Sequence, residues 1–294
     1  MLGRIGRDAS SPLAVQIAPD SIRILQLTCR RGRPRVSAWA LEPFDRPALA
    51  VGAEQCLAAL EIPLRRAVQR CASRQRKVAM ALSAGQVMCK RCVLPAGLHD
   101  DALERQLLAQ AEQLFPVPLD DLALDFQVLG PAATPGELDV LVAACRQSAL
   151  DPFEQLCASA GLQVVAMEID SLALRRLMPL RDGALLVLEK DSVVLHSWPE
   201  AAAPVHRYLV QSPFDLDDIA WSAHLGRALG GDTRHLYLTG ALASGDLAER
   251  LAGELAMPCE PLAPLQGLDL GANMDETQAG CMALPYGLAL GGLR

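Results

Sequence analysis

The segment between residues 94 and 146 constrains the fold of this chain more than any other part of it. It contains an acidic pair, Asp100 and Asp101, which favours a helix start because the helix dipole is positive there. Apolar residues at helical spacing follow until Pro116, which ends the helix. Two β-rich runs complete the segment. It therefore predicts a helix over residues 99–115 and strands over 122–129 and 138–145.

The preceding residues predict an antiparallel meander, then a helix and two further strands. Short β-rich runs are separated by turn-forming clusters such as Arg-Arg-Gly-Arg-Pro. A later run has apolar residues at helical spacing, and Pro63 within it should kink the helix or start a second segment. The predicted strands are 13–18, 22–29, 35–41, 77–83 and 86–94, and the predicted helix is 53–74.

The second half of the chain repeats this opening pattern. A helix closed by Gly161 as its C-terminal cap and a returning segment come first. Three β-rich runs then follow one another again, which indicates an internal duplication. The predicted elements are helices over 151–160, 214–229, 247–255 and 282–293, a returning segment over 164–177, and strands over 184–189, 192–198, 206–212 and 235–240.

The motifs of the first segment resemble the PilM family of type IV pilus assembly proteins. The match consists of Leu94-Pro95, the acidic helix start, a Glu-Gln-x-x-Pro-x-Pro-Leu turn and an Asp-Phe-Gln-Val strand, and it becomes patchy beyond Arg181. It implies an α/β, actin-like (ribonuclease H-like) fold of two lobes, with an inserted α+β subdomain of the type shared with FtsA. Too few residues remain for the family's fourth subdomain, so the second lobe should be reduced. The implied domains are a first lobe over 1–94 and 163–180, an inserted subdomain over 95–162 and a truncated second lobe over 181–294.

The resemblance also implies two phosphate-binding hairpin turns, in which glycine lets backbone N–H groups approach phosphates and an aspartate holds the metal. In the first turn Gln16 replaces the carboxylate and Ala18 replaces the glycine, while Pro19 removes a backbone donor. Asp20 and Ser21 are the polar residues that remain. We interpret this turn as the vestige of a nucleotide site.

The second turn, at residues 188–191, has no glycine. Glu189 or Asp191 has the chemistry to hold Mg²⁺, and Lys190 could meet a phosphate, but a polar hairpin tip explains these residues better. Gly240 retains one glycine of the adenosine motif, and alanine replaces the next. We therefore expect no cofactor and no ATP hydrolysis, with an atypical ATP·Mg²⁺ site as the alternative.

By resemblance, the function is that of a scaffold. PilM proteins bind the N-terminal cytoplasmic tail of the inner-membrane protein PilN in a groove between the first lobe and the inserted subdomain. The chain should bind such a tail as an extended apolar peptide and could also contact pilus ATPases and other platform proteins. It should lie in the cytoplasm at the inner face of the membrane, held there indirectly. An actin-like ATPase and a filament-forming protein are the rival functions. The groove candidates, which core packing explains equally well, are Leu94, Pro95, Phe115 and Phe126.

Charge and aromatic content argue against nucleic-acid binding. The net charge is −7, from 34 acidic and 27 basic residues, and only 4% of residues are aromatic, so a base-stacking surface is not expected. No run reaches the ~18 apolar residues of a membrane span, and the N-terminus has no apolar core long enough for export. The basic residues concentrate in the first quarter, where they predict either a face near anionic lipid or a solvated face. They are Arg4, Arg7, Arg30, Arg31, Arg33, Arg35, Arg65, Arg66, Arg70, Arg74, Arg76 and Lys77.

The sequence contains no pattern for a metal site or a catalytic site. Cys89 and Cys92 are a close pair, but an offset of three on a strand sends their side chains to opposite faces, and no second pair exists. Asp120, Asp121 and Asp125 fit a polar turn before a strand. No hydrolase elbow, Walker-A run or zinc-protease motif occurs. We therefore expect no metal ligand and no catalytic residue.

Overall fold

The computed structural model describes residues 8–44, 59–180, 182–190, 192–198, 205–211, 219–229, 231, 233–268, 270 and 274–293. The chain divides into two compact units. The larger unit consists of residues 1–81 and 156–294, and the smaller unit consists of residues 82–155. The strands are β1 (Asp8–Ser10), β2 (Leu13–Ile17), β3 (Ser21–Arg30), β4 (Arg33–Pro43), β5 (Lys77–Leu82), β6 (Met88–Pro95), β7 (Leu122–Pro131), β8 (Glu137–Arg146), β9 (Gln163–Ile169), β10 (Gly183–Leu188), β11 (Ser192–Ser197), β12 (Val205–Gln211), β13 (His235–Thr239) and β14 (Cys259–Pro261). The helices are α1 (Glu61–Cys71), α2 (Asp100–Leu114), α3 (Gln147–Ser159), α4 (Asp170–Arg175), α5 (Ile219–Leu229), α6 (Gly245–Leu255), α7 (Glu276–Gly280) and α8 (Ala283–Gly291).

Two sheets in the larger unit have the same topology. In the first sheet β4, β3 and β2 pair antiparallel, β2 pairs parallel with β5, and β9 follows β5. In the second sheet β12, β11 and β10 pair antiparallel, β10 pairs parallel with β13, and β13 pairs parallel with β14. Among the described strands, the first sheet adds β1, which pairs with the far end of β3. The internal duplication predicted from the repeated β-rich runs is confirmed.

Each sheet of this unit has its own aliphatic core. Leucines of β3 and alanine of β2 pack with residues of α8, and leucines of β10, β11 and β13 pack with α5 and α6. The closing helix α8 also crosses α4 at very short range, because a Cβ at Gly287 would meet the carbonyl oxygen of Ala173. Glycine at this position lets the two backbones touch, which joins the end of the chain to the first sheet.

The smaller unit is a three-stranded antiparallel sheet with one helix on it. The strand order is β6-β8-β7. Leu103 and Leu107 of α2 pack with Val140 and Val142 of β8. Residues at alternate positions along the three strands contribute to the same core. The opposite face carries polar residues such as Arg91, which forms an ion pair with Asp139. The helix and two strands predicted between residues 94 and 146 are present in the predicted order.

Two details differ from the sequence prediction. β6 pairs with β8 and so lies in the smaller unit, although the prediction assigns residues up to 94 to the first lobe. Helix α3 starts at Gln147, before the predicted residue 151, because the Asp121 carboxylate accepts hydrogen bonds from the Ser148 N–H (2.8 Å) and hydroxyl (3.1 Å) and so caps the first turn. Neither the partner of a strand nor a cap supplied from another element is visible in local spacing.

Several predicted features lie outside the described residues. These are the starts of the helices predicted over 53–74 and 214–229, together with Arg4, Arg7 and Asp191. Pro63 lies in the first turn of the described part of α1, where a missing N–H has no helical partner to lose. No helix in the described part of the chain is long and apolar enough to cross a membrane.

The crossing of α4 and α8 gives a direct test of close backbone packing. Gly287→Ala should lower the free energy of unfolding by about 1–3 kcal/mol, because the added methyl forces α8 away from Ala173. Gly253→Ala on α6 is the matched control, since its Cβ would meet nothing within 4 Å. Urea denaturation of both variants measures the difference. Equal effects would show that the crossing does not limit stability.

Candidate functional site

Two hairpin turns of the larger unit face each other. The β2–β3 turn is closed by a hydrogen bond from Ala18 N–H to the Ser21 carbonyl (2.9 Å). The β10–β11 turn is closed by the equivalent bond from Glu189 N–H to the Ser192 carbonyl (3.0 Å). Because the two sheets share one topology, the turns occupy equivalent positions in the two repeats. They are the two turns in which the sequence predicts a vestigial nucleotide site.

A buried ion pair fills the space between these turns. The Arg23 guanidinium donates from both terminal nitrogens to the Glu189 carboxylate, at 2.6 and 2.8 Å. Arg23 is 1% exposed and Glu189 is 6% exposed. Two parallel N–H···O bonds between a planar guanidinium and a carboxylate are the strongest geometry that such a pair can adopt. The pair therefore joins the first sheet to the second between the two turns.

Arg23 is also held by two further acceptors. Its Nε donates to the Ser21 hydroxyl (3.2 Å), and one terminal nitrogen donates to the Cys281 carbonyl (3.3 Å), just before α8. Burial alone lowers the pKa of this guanidinium, but the hydrogen bonds and charge of Glu189 outweigh burial and raise the pKa above its ordinary value. The side chain is a permanent cation that ties together β3, the second turn and the start of α8.

A second ion pair lies at the more exposed side of the same site. Lys190 Nζ is 2.7 Å from the Asp20 carboxylate, which also accepts a hydrogen bond from the Ser21 hydroxyl at 2.9 Å. Burial raises the pKa of Asp20, but the hydrogen bonds from Lys190 and Ser21 and the nearby positive charges outweigh burial. The net effect is a pKa below the ordinary value. The hydrogen bond and charge of Asp20 raise the pKa of Lys190. Two salt bridges therefore link the two turns. In the buried one the cation, Arg23, comes from the first sheet, and in the partly exposed one the cation, Lys190, comes from the second.

The structure brings the predicted nucleotide-site residues together, but in contact with one another. Asp20, Ser21, Glu189 and Lys190 are paired as above. Gln16 lies opposite Arg23 in the β2–β3 register, and its buried Oε1 has no hydrogen-bond partner among the described residues. These residues thus form a closed polar cluster rather than a set of free ligands.

Gly240 has a structural reason to be glycine at the edge of this cluster. It adopts a φ of 102°, in the region that favours glycine, and a Cβ there would meet the carbonyl oxygen of Leu188. Leu188 precedes the Glu189 that pairs with Arg23. The retained glycine therefore allows β13 to pass close to the second turn, whether or not a nucleotide is involved.

The residues present do not fit a bound ATP·Mg²⁺. A phosphate entering between the turns would have to displace Glu189 from Arg23, and a metal bound to the Glu189 carboxylate would compete with Arg23 for it. Pro19 supplies no backbone donor to the first turn. Arg23 was missed by sequence analysis, although a charged residue inside the apolar run of β3 was a visible signal.

The predicted partner-binding residues lie in the smaller unit with unequal exposure. Leu94 and Phe115 are buried at 1% and 2% exposure in its core, and Phe126 packs against the same core. Pro95 is exposed. Sequence analysis missed the most exposed apolar side chains of this unit's strands. These are Val93, Val128 and Leu129, at 50%, 39% and 46% exposure.

Metal and thiol chemistry find no site in the described residues. No group of three or more His, Cys, Asp or Glu side chains there could hold a metal ion. Burial raises the pKa of Cys71 and of Cys259 to about 11, which keeps both thiols protonated and poor nucleophiles at neutral pH.

A duplicated sheet with one facing hairpin turn in each repeat defines an actin-like protein. The fold is similar to that of the solved "PilM-PilN type IV pilus biogenesis complex", with a TM-score of 0.73 at 22% identity over 97% of this chain and 99% of that chain. It is also similar to ethanolamine utilization protein EutJ from Carboxydothermus hydrogenoformans, with a TM-score of 0.52 at 12% identity over 96% of this chain and 89% of that one. Residues 14–195, more than half of the sequence, match the family of type IV pilus assembly protein PilM, and the chain belongs to that family. The family and the actin-like fold predicted from the sequence are confirmed.

The buried ion pair should respond very differently to single and double substitution. Arg23→Met should lower the free energy of unfolding by about 3–5 kcal/mol, because it leaves Glu189 buried without a partner. The double variant Arg23→Met/Glu189→Leu should recover most of this loss, since two apolar side chains need no pairing. Arg65→Met breaks an exposed pair with Glu61 and an exposed hydrogen bond to the Ser159 carbonyl, and should cost about 1 kcal/mol or less. Urea denaturation that found Arg23→Met no worse than Arg65→Met would contradict the assignment.

The second ion pair makes stability depend on pH in the acid range. Because the pKa of Asp20 is lower in the folded chain, its carboxylate contributes stability above about pH 4, and this is lost as the pH falls through the folded pKa. Asp20→Asn should therefore cost up to about 1 kcal/mol at pH 7, a modest value because Lys190 is 60% exposed, and almost nothing at the lowest pH tolerated. Denaturation across this range measures the difference, with the exposed Glu249→Gln as control. A cost independent of pH would contradict the prediction.

Proposed function

We propose that this chain is a non-hydrolysing scaffold of a type IV pilus assembly platform, located in the cytoplasm at the inner face of the membrane. In this proposal it binds the N-terminal cytoplasmic tail of a PilN-like inner-membrane protein. The observation that carries the proposal is the buried bidentate pair of Arg23 and Glu189 between the two turns. It supplies from side chains the link that a nucleotide would otherwise supply.

The buried pair of Arg23 and Glu189 opposes nucleotide binding energetically. Separating Glu189 from Arg23 leaves a buried carboxylate unpaired, at a cost of about 3–5 kcal/mol. This cost would weaken any ATP binding by about 10²-fold to 10³·⁵-fold, before the loss of the glycine and aspartate of the first turn is counted. ATP·Mg²⁺ at the millimolar level would then be a poor ligand. Loss of the nucleotide site with retention of the fold favours a binding role.

The smaller unit supplies the surface for the proposed tail. Its sheet has two edge strands, and β7 at one edge exposes Val128 and Leu129 next to the partly buried Phe126. An extended apolar peptide can pair with such an edge and place alternate side chains against it. Leu94 and Phe115 belong to the core against which Phe126 packs. The family's membership in type IV pilus assembly and the PilN named in the similar solved complex support this choice of partner.

The proposal predicts two binding results from one calorimetric session. The purified chain should give no heat of binding with ATP·Mg²⁺ and should bind a synthetic peptide matching the tail of the PilN-like protein encoded beside it. Val128→Ser should weaken peptide binding by about tenfold, because one exposed apolar contact is lost. Val165→Ser, an equally exposed valine of the larger unit at 44%, is the control and should bind normally.

Each result can fail separately. Micromolar binding of ATP would contradict the closed site, and would require Glu189 to leave Arg23. Failure of the peptide to bind would contradict the partner, and equal binding by both valine variants would contradict the surface on β7.

A further inference from the structure

The fold brings two basic segments of the sequence to one end of the first sheet. β3 ends and β4 begins at a hairpin whose two loop residues, Arg31 and Gly32, have φ values of 52° and 79°. β5 begins at Lys77 and runs parallel to β2, which is antiparallel to β3, so the start of β5 lies at the same end as this hairpin. The basic end, as defined here, consists of Arg30, Arg31, Arg33, Arg35, Arg74, Arg76 and Lys77.

The side chains of the basic end are exposed and largely unneutralised. All seven are exposed. Apart from Arg35, none makes an ion pair with another described side chain, whereas arginines elsewhere in the chain, including Arg23, Arg70 and Arg91, pair with carboxylates. Arg76 donates to two carbonyls of its own loop, neither of which carries a formal charge. The fold therefore places seven basic residues at one end of the first sheet, with one acidic residue, Asp8, opposite Arg30 in the strand register, in a chain whose net charge is −7.

We propose that the basic end binds the anionic phospholipid headgroups of a membrane surface. Guanidinium groups match phosphate geometry and are weakly hydrated, so a cluster of them at a protein end suits a dense array of phosphates. This end offers cations without an apolar anchor, which fits a peripheral, reversible contact rather than insertion.

Charge distribution selects a planar surface over a nucleic acid. A membrane touches only the end of the sheet that faces it and needs no basic surface elsewhere, whereas a general polyanion binder is not expected at a net charge of −7. Trp39 of β4 lies partly buried in the core of the first sheet, and no aromatic side chain belongs to the basic end to stack on bases. The contact is therefore electrostatic, with phosphate groups and without base stacking.

The backbone of the hairpin supports a role for its charge. Two-residue hairpin loops with positive φ at both positions favour asparagine, aspartate or glycine. Arginine occupies the first position at φ 52°, where a residue with a Cβ is strained. Asparagine, aspartate or glycine would fit the backbone of this turn with less strain than arginine. Arginine instead adds a positive charge at the tip of the hairpin.

This contact is independent of the proposed PilN-like partner and would add to it. The tail of a PilN-like protein is anchored in the membrane, so a chain bound to it is already held near lipid. The local concentration of headgroups is then high, and a weak lipid contact raises the overall affinity of the chain for the membrane. The lipid contact would also orient the first sheet with its basic end toward the bilayer.

Vesicle co-sedimentation of the full chain alone tests the proposal without the partner. The chain should sediment with vesicles of phosphatidylcholine mixed with phosphatidylglycerol and stay in solution with phosphatidylcholine alone. Raising the salt to about 1 M should abolish the binding, because it shortens the Debye length to about 3 Å. Failure of the chain to sediment with anionic vesicles at low salt would overturn the proposal, whatever the tail peptide does.

A matched pair of triple variants locates the surface. Arg31→Gln/Arg33→Gln/Lys77→Gln should lower the partition coefficient about 100-fold, since each basic residue near an anionic surface contributes about fivefold. Arg66→Gln/Arg105→Gln/Arg227→Gln removes the same charge from exposed positions elsewhere and should bind almost as well as the native chain. The charge-retaining Arg31→Lys/Arg33→Lys should also bind, and circular dichroism checks that every variant is folded.

The remaining outcomes are decisive as well. Equal loss in the two triple variants would overturn the basic end as the site, because net charge alone would explain the binding. Tighter binding to duplex DNA than to anionic vesicles at the same salt would overturn the lipid assignment in favour of nucleic acid.

Discussion

The bidentate contact between Arg23 and Glu189 is the interaction on which the arrangement of the larger unit depends. It connects residues 166 positions apart, on one strand of the first sheet and the opening turn of the second. Through the Cys281 carbonyl it also fixes the start of α8, whose Gly287 rests on α4. A buried charge pair of this kind contributes less net stability than its short distances suggest, but it tolerates only one relative placement of its partners. It thus acts mainly by specifying how the two sheets meet.

The repeated topology explains where the other parts of the chain are inserted. The crossover from β13 to β14 is the single helix α6, whereas the equivalent crossover from β5 to β9 contains the smaller unit and α3. A parallel pair needs a long connection in any case, so a compact unit can be placed within it without breaking strand order. The proposed binding surface therefore sits on the element that distinguishes the two repeats, while the closed polar cluster lies on the elements that they share.

The sequence predicted most strands and helices because their signals are local. Apolar spacing, Pro116 and Gly161 gave bounds within a few residues, and the family resemblance supplied their arrangement. Side-chain partners were much less visible. Glu189 was predicted as a polar hairpin tip, and its capture by Arg23 depends on two turns that are close only after both sheets have formed. The burial of Leu94 and Phe115 likewise depends on which face of β6 and α2 turns inward, which spacing alone does not decide.

A link made by two side chains, unlike a bound nucleotide, neither dissociates from the protein nor is hydrolysed. In an actin-like protein whose halves are bridged by a nucleotide, the geometry follows the cell's supply of ATP and the rate at which it is consumed. In this chain the link consists of Arg23 and Glu189, so every folded molecule contains it. If no nucleotide enters between the turns, as proposed, the relative placement of the two sheets is set by the sequence alone and does not vary with the ATP concentration.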